Sequence, residues 1–225
     1  INNDKMSTTK GNIMYADDLV DLFGVDAIRY YLLHEIPFQN DGTISYELIM
    51  ERINSDLANV LGNLVNRTIA MARKYFDGHI ENKKILDSLD EEFLESISLM
   101  PRNVDECMNK LEIGRAIDEV FEVLRKSNKY IDDTAPWTLA KDEAMKDRLE
   151  TVLYHLLESI RICAFELSPF MPETSEKIFK QLNSTVKNNE FNENGSYVVS
   201  EPVPLFLRID IAKKLEEIQA KNEVK

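Results

Sequence analysis

Two lysines, Lys5 and Lys10, bracket the polar run Met6, Ser7, Thr8 and Thr9 near the start of the chain. Ammonium groups so spaced in a loop can hold a phosphate chain, with the hydroxyls adding hydrogen bonds. The same composition also suits a solvated surface loop. Asn63 and Arg67 stand one helical turn apart, which puts an amide and a guanidinium on one face about 6 Å from each other. Such a pair offers donors and an acceptor to base edges, or else a polar face to solvent. Asn128 and Asp132 repeat the spacing. Asp132 and Asp133 fall where a helix should end, and the macrodipole disfavours negative charge there. That breach of a local rule marks a functional position for Asp132, whereas Asp133 or Thr134 reads as the cap of the next helix. Trp137 is the only tryptophan, and Pro136 stiffens the turn before it. An exposed indole beside hydrogen-bonding side chains suits base stacking; an inward one is core.

No comparable case exists for a metal or a nucleophile. Cys107 and Cys163 are the only cysteines and form no CxxC pair, so a zinc site is not expected. His34, His79 and His155 are scattered and read as structural or surface residues. The net charge of −13 argues against a protein that coats nucleic acid by charge alone, but not against a local site that reads bases. Acid is concentrated in residues 77–112, with ten Asp/Glu against four Lys/Arg. No apolar run reaches the length of a membrane span and no signal peptide opens the chain. A cytoplasmic setting and no membrane partner follow.

These residues need helices to hold them. Seven Gly and seven Pro are few for 225 residues, and apolar residues recur with helical period. Residues 1–14 read as loop. A helix is expected from Ala16 to Phe23, stopped by Gly24, then another over Val25–His34 with Ile28, Tyr31 and Leu32 inward. Pro37 and Asn40-Asp41-Gly42 mark a turn. A long helical region follows from Ser45 to about Tyr75, its longer piece capped by Asn54 or Ser55. Leu57, Val60, Leu61, Leu64, Val65 and Ile69 form its stripe. Gly62 inside it predicts close approach of another helix. Asp77-Gly78 ends the region and residues 79–88 read as linker. Further helices are expected from Asp90 to about Met100 before Pro101, from about Arg115 to Ile131, at Trp137–Lys141, from Lys146 to Leu167 as the strongest amphipathic helix, and over Glu173–Leu182. Residues 184–200 read as a surface loop with a strand at Tyr197–Val199, and Lys213–Lys225 as a charged helical end. The sum is an all-α, antiparallel helix bundle over 45–182, preceded by a small segment 1–44 and followed by a loop, an extended segment and a linker helix over 183–225. Both ends read as cuts in a longer protein.

Read together, the runs carry a resemblance. The loop Lys5-Met6-Ser7-Thr8-Thr9-Lys10, followed by Val25-Asp26-Ala27-Ile28-Arg29-Tyr30-Tyr31-Leu32-Leu33, resembles the KMSKS loop and stem-contact segment of class I aminoacyl-tRNA synthetases. That loop closes on ATP and steadies the pyrophosphate. Here Thr8 stands where the family places its second lysine, Thr9 replaces Ser, and Lys10 lies two positions beyond Thr8. The run Asn63-Leu64-Val65-Asn66-Arg67, with the later Asn128-Lys129-Tyr130-Ile131-Asp132-Asp133-Thr134-Ala135-Pro136-Trp137, resembles the methionyl-tRNA synthetase anticodon-binding domain. Pro202 to Asp210 resembles the closing segment of bacterial members.

The resemblance implies that Asn63, Arg67, Asn128, Asp132 and Trp137 surround the CAU anticodon of methionine tRNA, with Trp137 stacked on its first base. It implies a full-length methionine–tRNA ligase using ATP and Mg, with the catalytic domain of the same chain as a second partner. The sequence contains no HxGH motif and no Gly-rich strand-to-helix turn. Catalysis needs a preorganised site to hold its reactants, so these residues alone are expected to be inactive and to carry no cofactor. Two other readings fit the same residues: the equivalent part of another class I synthetase, and a non-enzymatic helical interaction module.

Overall fold

The computed structural model describes residues 13–36 and 42–222, the side chains of 221 and 222 excepted. The lysine-bracketed loop (Lys5, Met6, Ser7, Thr8, Thr9 and Lys10) and most of the expected turn after Ile36 lie outside the described residues. The rest is a helix bundle with one small ribbon.

α1 (Ala16–Phe23) has Asp17 and Asp18 in its first turn and stops at Gly24, whose φ of 85° only glycine adopts freely. α2 (Val25–Glu35) buries Asp26, Ala27, Ile28, Tyr30 and Tyr31. Leu32, expected inward, is exposed. At 100° per residue the buried arc runs from Asp26 round to Ile28, and Leu32 falls just past its edge. Two polar residues of α2 fasten it to the rest of the bundle. Asp26 Oδ2 accepts from the backbone of Thr174 at 2.6 Å, and Arg29 donates to the carbonyls of Phe170 and Pro169 at 2.8 and 2.7 Å.

Ser45 caps α3 (Tyr46–Arg52) by accepting from Leu48 N. The helix does not restart at Asn54 or Ser55. It continues through a π-helical stretch (Ile53–Gly62) into α4 (Asn63–Phe76). No Gly or Pro interrupts the chain near 54, and the Asn54 amide has a remote task instead. It donates to Ile209 O at 2.8 Å and accepts from Ile209 N at 2.7 Å. Gln181 grips Val203 in the same two-bonded way, and Arg73 pairs with Glu201. These contacts lay the extended segment 200–210 along α4 and the π-helical stretch. Gly62 meets no helix. A Cβ there would stand 3.0 Å from the Leu57 carbonyl oxygen and 3.9 Å from the backbone of Phe206.

α4 ends at Asp77 and Gly78, both at positive φ. The expected linker then forms β1 (His79–Glu81), which pairs antiparallel with β2 (Ser196–Val198), Ile80 opposite Tyr197. Both of these face inward. A capping box at Asp87 and Asp90 opens α5 (Ser88–Asn109). It runs straight past Pro101, against expectation. Phe93, Ile97, Met100, Val104 and Cys107 keep one buried stripe through the proline, and that burial outweighs the roughly 3 kcal/mol a mid-helix proline costs.

α6 (Ile113–Thr134) packs back along α5. A single turn, α7 (Pro136–Leu139), and a 3₁₀ turn (Glu143–Met145) lead to α8 (Lys146–Leu167), then α9 (Pro172–Leu182) and α10 (Ile211–Asn222). α8 is not amphipathic toward solvent as expected, because every residue from 148 to 164 is buried. Its polar residues face partners inside the protein. Arg161 forms a two-pronged pair with Glu158 at 3.0 and 2.8 Å and bonds the carbonyls of Asn188 and Glu190. Tyr197 donates to the same Glu158. One continuous apolar cluster reaches from Leu19 to Val199. Among the described residues no helix is long and apolar enough to cross a membrane.

Candidate nucleic-acid interface

α4 and α6 carry four of the five residues singled out for base recognition. Asn63 opens α4 with its side chain in solvent; Arg67, one turn on, is half-buried. Asn128 and Asp132 sit one turn apart on the last part of α6. The fold turns these faces to each other. Arg67 Nη2 lies 3.3 Å from Asp132 Oδ1, and Asn128 Nδ2 lies 3.1 Å from Val60 O, just before α4. Among the described residues the Asn63 side chain has no hydrogen-bond partner, and Asp132 has only Arg67.

The turn after α6 differs from expectation in one respect. Asp133 and Thr134 do not cap α7; both belong to α6. Thr134 Oγ1 bonds back to Tyr130 O at 2.6 Å, and Asp133 pairs with Lys129, which raises the lysine's pKa. Ala135 takes the cap position at φ 43°, a left-handed conformation that costs a non-glycine residue about 1 kcal/mol. Pro136 then fills the first position of α7 and is buried, and Trp137 stands 43% exposed. Its indole N–H has no hydrogen-bond partner among the described residues. The site therefore ends on an exposed aromatic plate held by a stiff turn.

Beneath it lies a network that sequence reasoning missed. Tyr130, between Asn128 and Asp132, points inward and donates to Asp90 Oδ1. Arg148 grips Asp90 with two bonds, at 2.7 and 2.9 Å, and reaches Asp87 at 3.1 Å. His155 Nδ1 lies 3.3 Å from Tyr130 Oη. Burial pushes the Asp90 carboxyl upward, but hydrogen bonds with His155, Arg148, Tyr130 and the Asp87 backbone outweigh it and hold the group well below its ordinary value. Tyr130 was visible inside the run of residues 128–137. Nothing local in the sequence links it to Asp90 or Arg148.

Among the described residues the other titratable groups make no catalytic cluster. His34 lies between Glu35 and Asp118 at 2.6 and 2.9 Å, and His79 is on the surface. Cys107 and Cys163 are buried free thiols, both raised in pKa by that burial. Among the described residues no group of three or more His, Cys, Asp or Glu side chains could hold a metal ion.

The chain matches two family models: tRNA synthetases class I (M) over residues 1–69, and the anticodon binding domain of methionyl tRNA ligase over residues 83–201. It is 46% identical to the methionine–tRNA ligase of Clostridium acetobutylicum, over 97% of this chain and 35% of that protein. It is 45% identical to the ligase of Caldanaerobacter subterraneus subsp. tengcongensis, over 98% of this chain and 36% of that protein. The chain thus spans about a third of the length of the curated relatives it matches. Mycobacterium tuberculosis methionyl-tRNA synthetase in complex with methionyl-adenylate superposes with a TM-score of 0.84 at 34% identity, covering 90% of this chain and 41% of that one. The two motif runs, the helix bundle that brings them together and these matches agree, and the chain belongs to the methionyl-tRNA synthetase family, in the region of its anticodon-binding domain.

Proposed function

We propose that this chain recognises the CAU anticodon of methionine tRNA, with Asn63, Arg67, Asn128, Asp132 and Trp137 forming the recognition site. The observation that carries the reading is the Arg67–Asp132 contact at 3.3 Å, which joins the two runs, with the exposed Trp137 five residues further along the second. Sequence-specific RNA recognition uses splayed loop bases, stacked on aromatic rings and hydrogen-bonded on their edges. This surface offers an indole, a guanidinium, an amide and a carboxylate. A net charge of −13 suits a site that works by stacking and edge contacts, with phosphate contacts made mainly elsewhere.

On this reading the chain serves a methionine–tRNA ligase whose catalytic domain lies in the same polypeptide, working in the cytoplasm. Residues 1–44 are then the ATP loop and stem-contact segment, 45–182 the anticodon-binding bundle, and 183–225 the closing segment and linker helix. ATP and Mg belong to the catalytic half of that reaction.

The test is a gel shift of the 225-residue chain with a CAU anticodon stem-loop and with one carrying a changed anticodon. Binding of the first well above the second supports the reading. Equal binding, or none, overturns it; preference for a different anticodon assigns the chain to another specificity.

A further inference from the structure

Asn128 is the member of the site with the least freedom. Its Nδ2 lies 3.1 Å from Val60 O and 3.1 Å from Leu124 O. Both neighbours are carbonyl oxygens, so the amide has to turn its NH2 toward them, and both of its hydrogens are used inside the protein. Only Oδ1 is left over. Asn63, by contrast, keeps its whole amide free among the described residues.

What Asn128 holds is unusual backbone. Val60 lies in the last turn of the π-helical stretch Ile53–Gly62, and the N–H of Asn63 bonds Ala58 O, one residue further back than an α-helix would reach. Passing from i+5 to i+4 bonding skips one acceptor in the turn that holds Val60, and π turns are uncommon enough to need outside support. That support comes from two asparagines. Asn54 is tied to both polar groups of Ile209 near one end of the stretch, and Asn128 is tied to Val60 at the other. The register matters because α4 begins right after the junction. Each residue taken up in a wide turn rotates everything that follows by about 100° relative to a straight α-helix. Arg67 meets Asp132 in the register that includes the π turns.

We propose that Asn128 is a positioning residue for anticodon recognition: by holding the Val60 carbonyl it locks the last π-helical turn and so sets Arg67 opposite Asp132. This rests on the anticodon reading above and changes the part Asn128 plays in it, from a base contact to a lock on the residues that make base contacts.

Two measurements on the 225-residue chain test it. The first needs no RNA. Amide hydrogen exchange over residues 60–67 is compared between the parent chain, Asn128→Ala and, as a control on the same helix, Arg125→Ala. The lock requires exchange in this window to rise by about tenfold in Asn128→Ala, with the α8 amides unchanged. Asn128→Asp removes the donor while keeping size and Oδ1, and it should behave like Asn128→Ala. It decides the matter where the alanine variant loosens the whole bundle. Rates in the window equal to the parent's in both variants overturn the lock. The second measurement is affinity for the CAU stem-loop in a double-mutant cycle. Asn128→Ala should weaken binding about tenfold alone but less than about twofold when Arg67 is already Ala, because the lock acts through Arg67. Losses that simply multiply make Asn128 an independent base contact and overturn the proposal. A parent chain that does not bind the stem-loop sinks the anticodon reading, while the exchange experiment still decides the lock.

Discussion

The Arg67 guanidinium and the Asp132 carboxylate meet at 3.3 Å across α4 and α6, with the arginine side chain 34% and the aspartate 65% exposed. A pair so open to water contributes at most about 1 kcal/mol to stability. Its consequence is orientation. Asp132 is the one charged partner of Arg67 among the described residues, and it fixes the direction of a planar, five-donor group one turn along α4 from Asn63.

Replacing Arg67 with alanine should therefore leave the melting temperature nearly unchanged and weaken CAU stem-loop binding by about 1–3 kcal/mol, the value of a good base contact. Arg73→Ala should do less. Arg73 serves the closing segment through Glu201 and bonds Asp77 O at 3.3 Å. Titrations of a labelled stem-loop with both variants separate these cases. Equal losses would point to a diffuse charge effect.

The Asp90–Arg148 pair behaves in the opposite way, since both side chains are almost fully buried. Removing one partner strands the other charge, so Arg148→Leu should cost about 3–5 kcal/mol in a urea melt. The pair also predicts acid sensitivity. Asp90 is held below its ordinary value, so its contribution is fully present above about pH 4, where the unfolded carboxyl is already ionised. It is lost as the pH falls from there through the folded value. The urea midpoint should drop in that window, and Asp90→Asn should flatten the drop while lowering stability at pH 7.

Much of this was legible in the sequence because it was periodic or punctuated. The ends of α1 and α4 and the extent of α8 followed from Gly24, Asp77-Gly78 and a long apolar repeat. The pairing of an NLVNR helix with an NKYIDDTAPW helix followed from resemblance. What was not legible depended on distant partners. β1 is three residues long, too short for alternation to show. Pro101 is tolerated because of a stripe buried against other elements. The polar positions of α8 looked like a solvent face because nothing nearby announces Asp90, Tyr197 or the loop that Arg161 holds. Asn54 looked like a cap because its partner, Ile209, is far along the chain.

α2 supplies a third expectation. Asp26 Oδ2 accepts from Thr174 N in the first turn of α9, doing from outside what a capping side chain does from within. Arg29 takes the carbonyls of Pro169 and Phe170 at the corner before it. Asp26→Ala should destabilise the chain by about 2 kcal/mol, and Asp26→Asn by less, since the amide keeps an acceptor but loses the charge. Urea unfolding followed by circular dichroism measures both. A cost near zero would mean that Arg29 and the buried residues of α2 hold this corner without Asp26.

Trp137 gives the most direct reading of the site. Pro136 and the left-handed Ala135 fix the turn, and the indole stands 43% exposed with its N–H unpartnered among the described residues. An aromatic ring left in water forgoes burial worth about 2 kcal/mol or more, a loss that stacking on a base would recover. The chain has one tryptophan, so its fluorescence reports this position alone. In the free protein acrylamide should quench it readily. A CAU stem-loop should shift the emission and protect it, and a stem-loop with a changed first anticodon base should do so less. Trp137→Ala should lose about 1–3 kcal/mol of stem-loop affinity while helical circular dichroism and melting temperature barely move. Should RNA binding leave the indole as quenchable as before, the base stacks elsewhere and Arg67 with Asn63 must carry recognition without it.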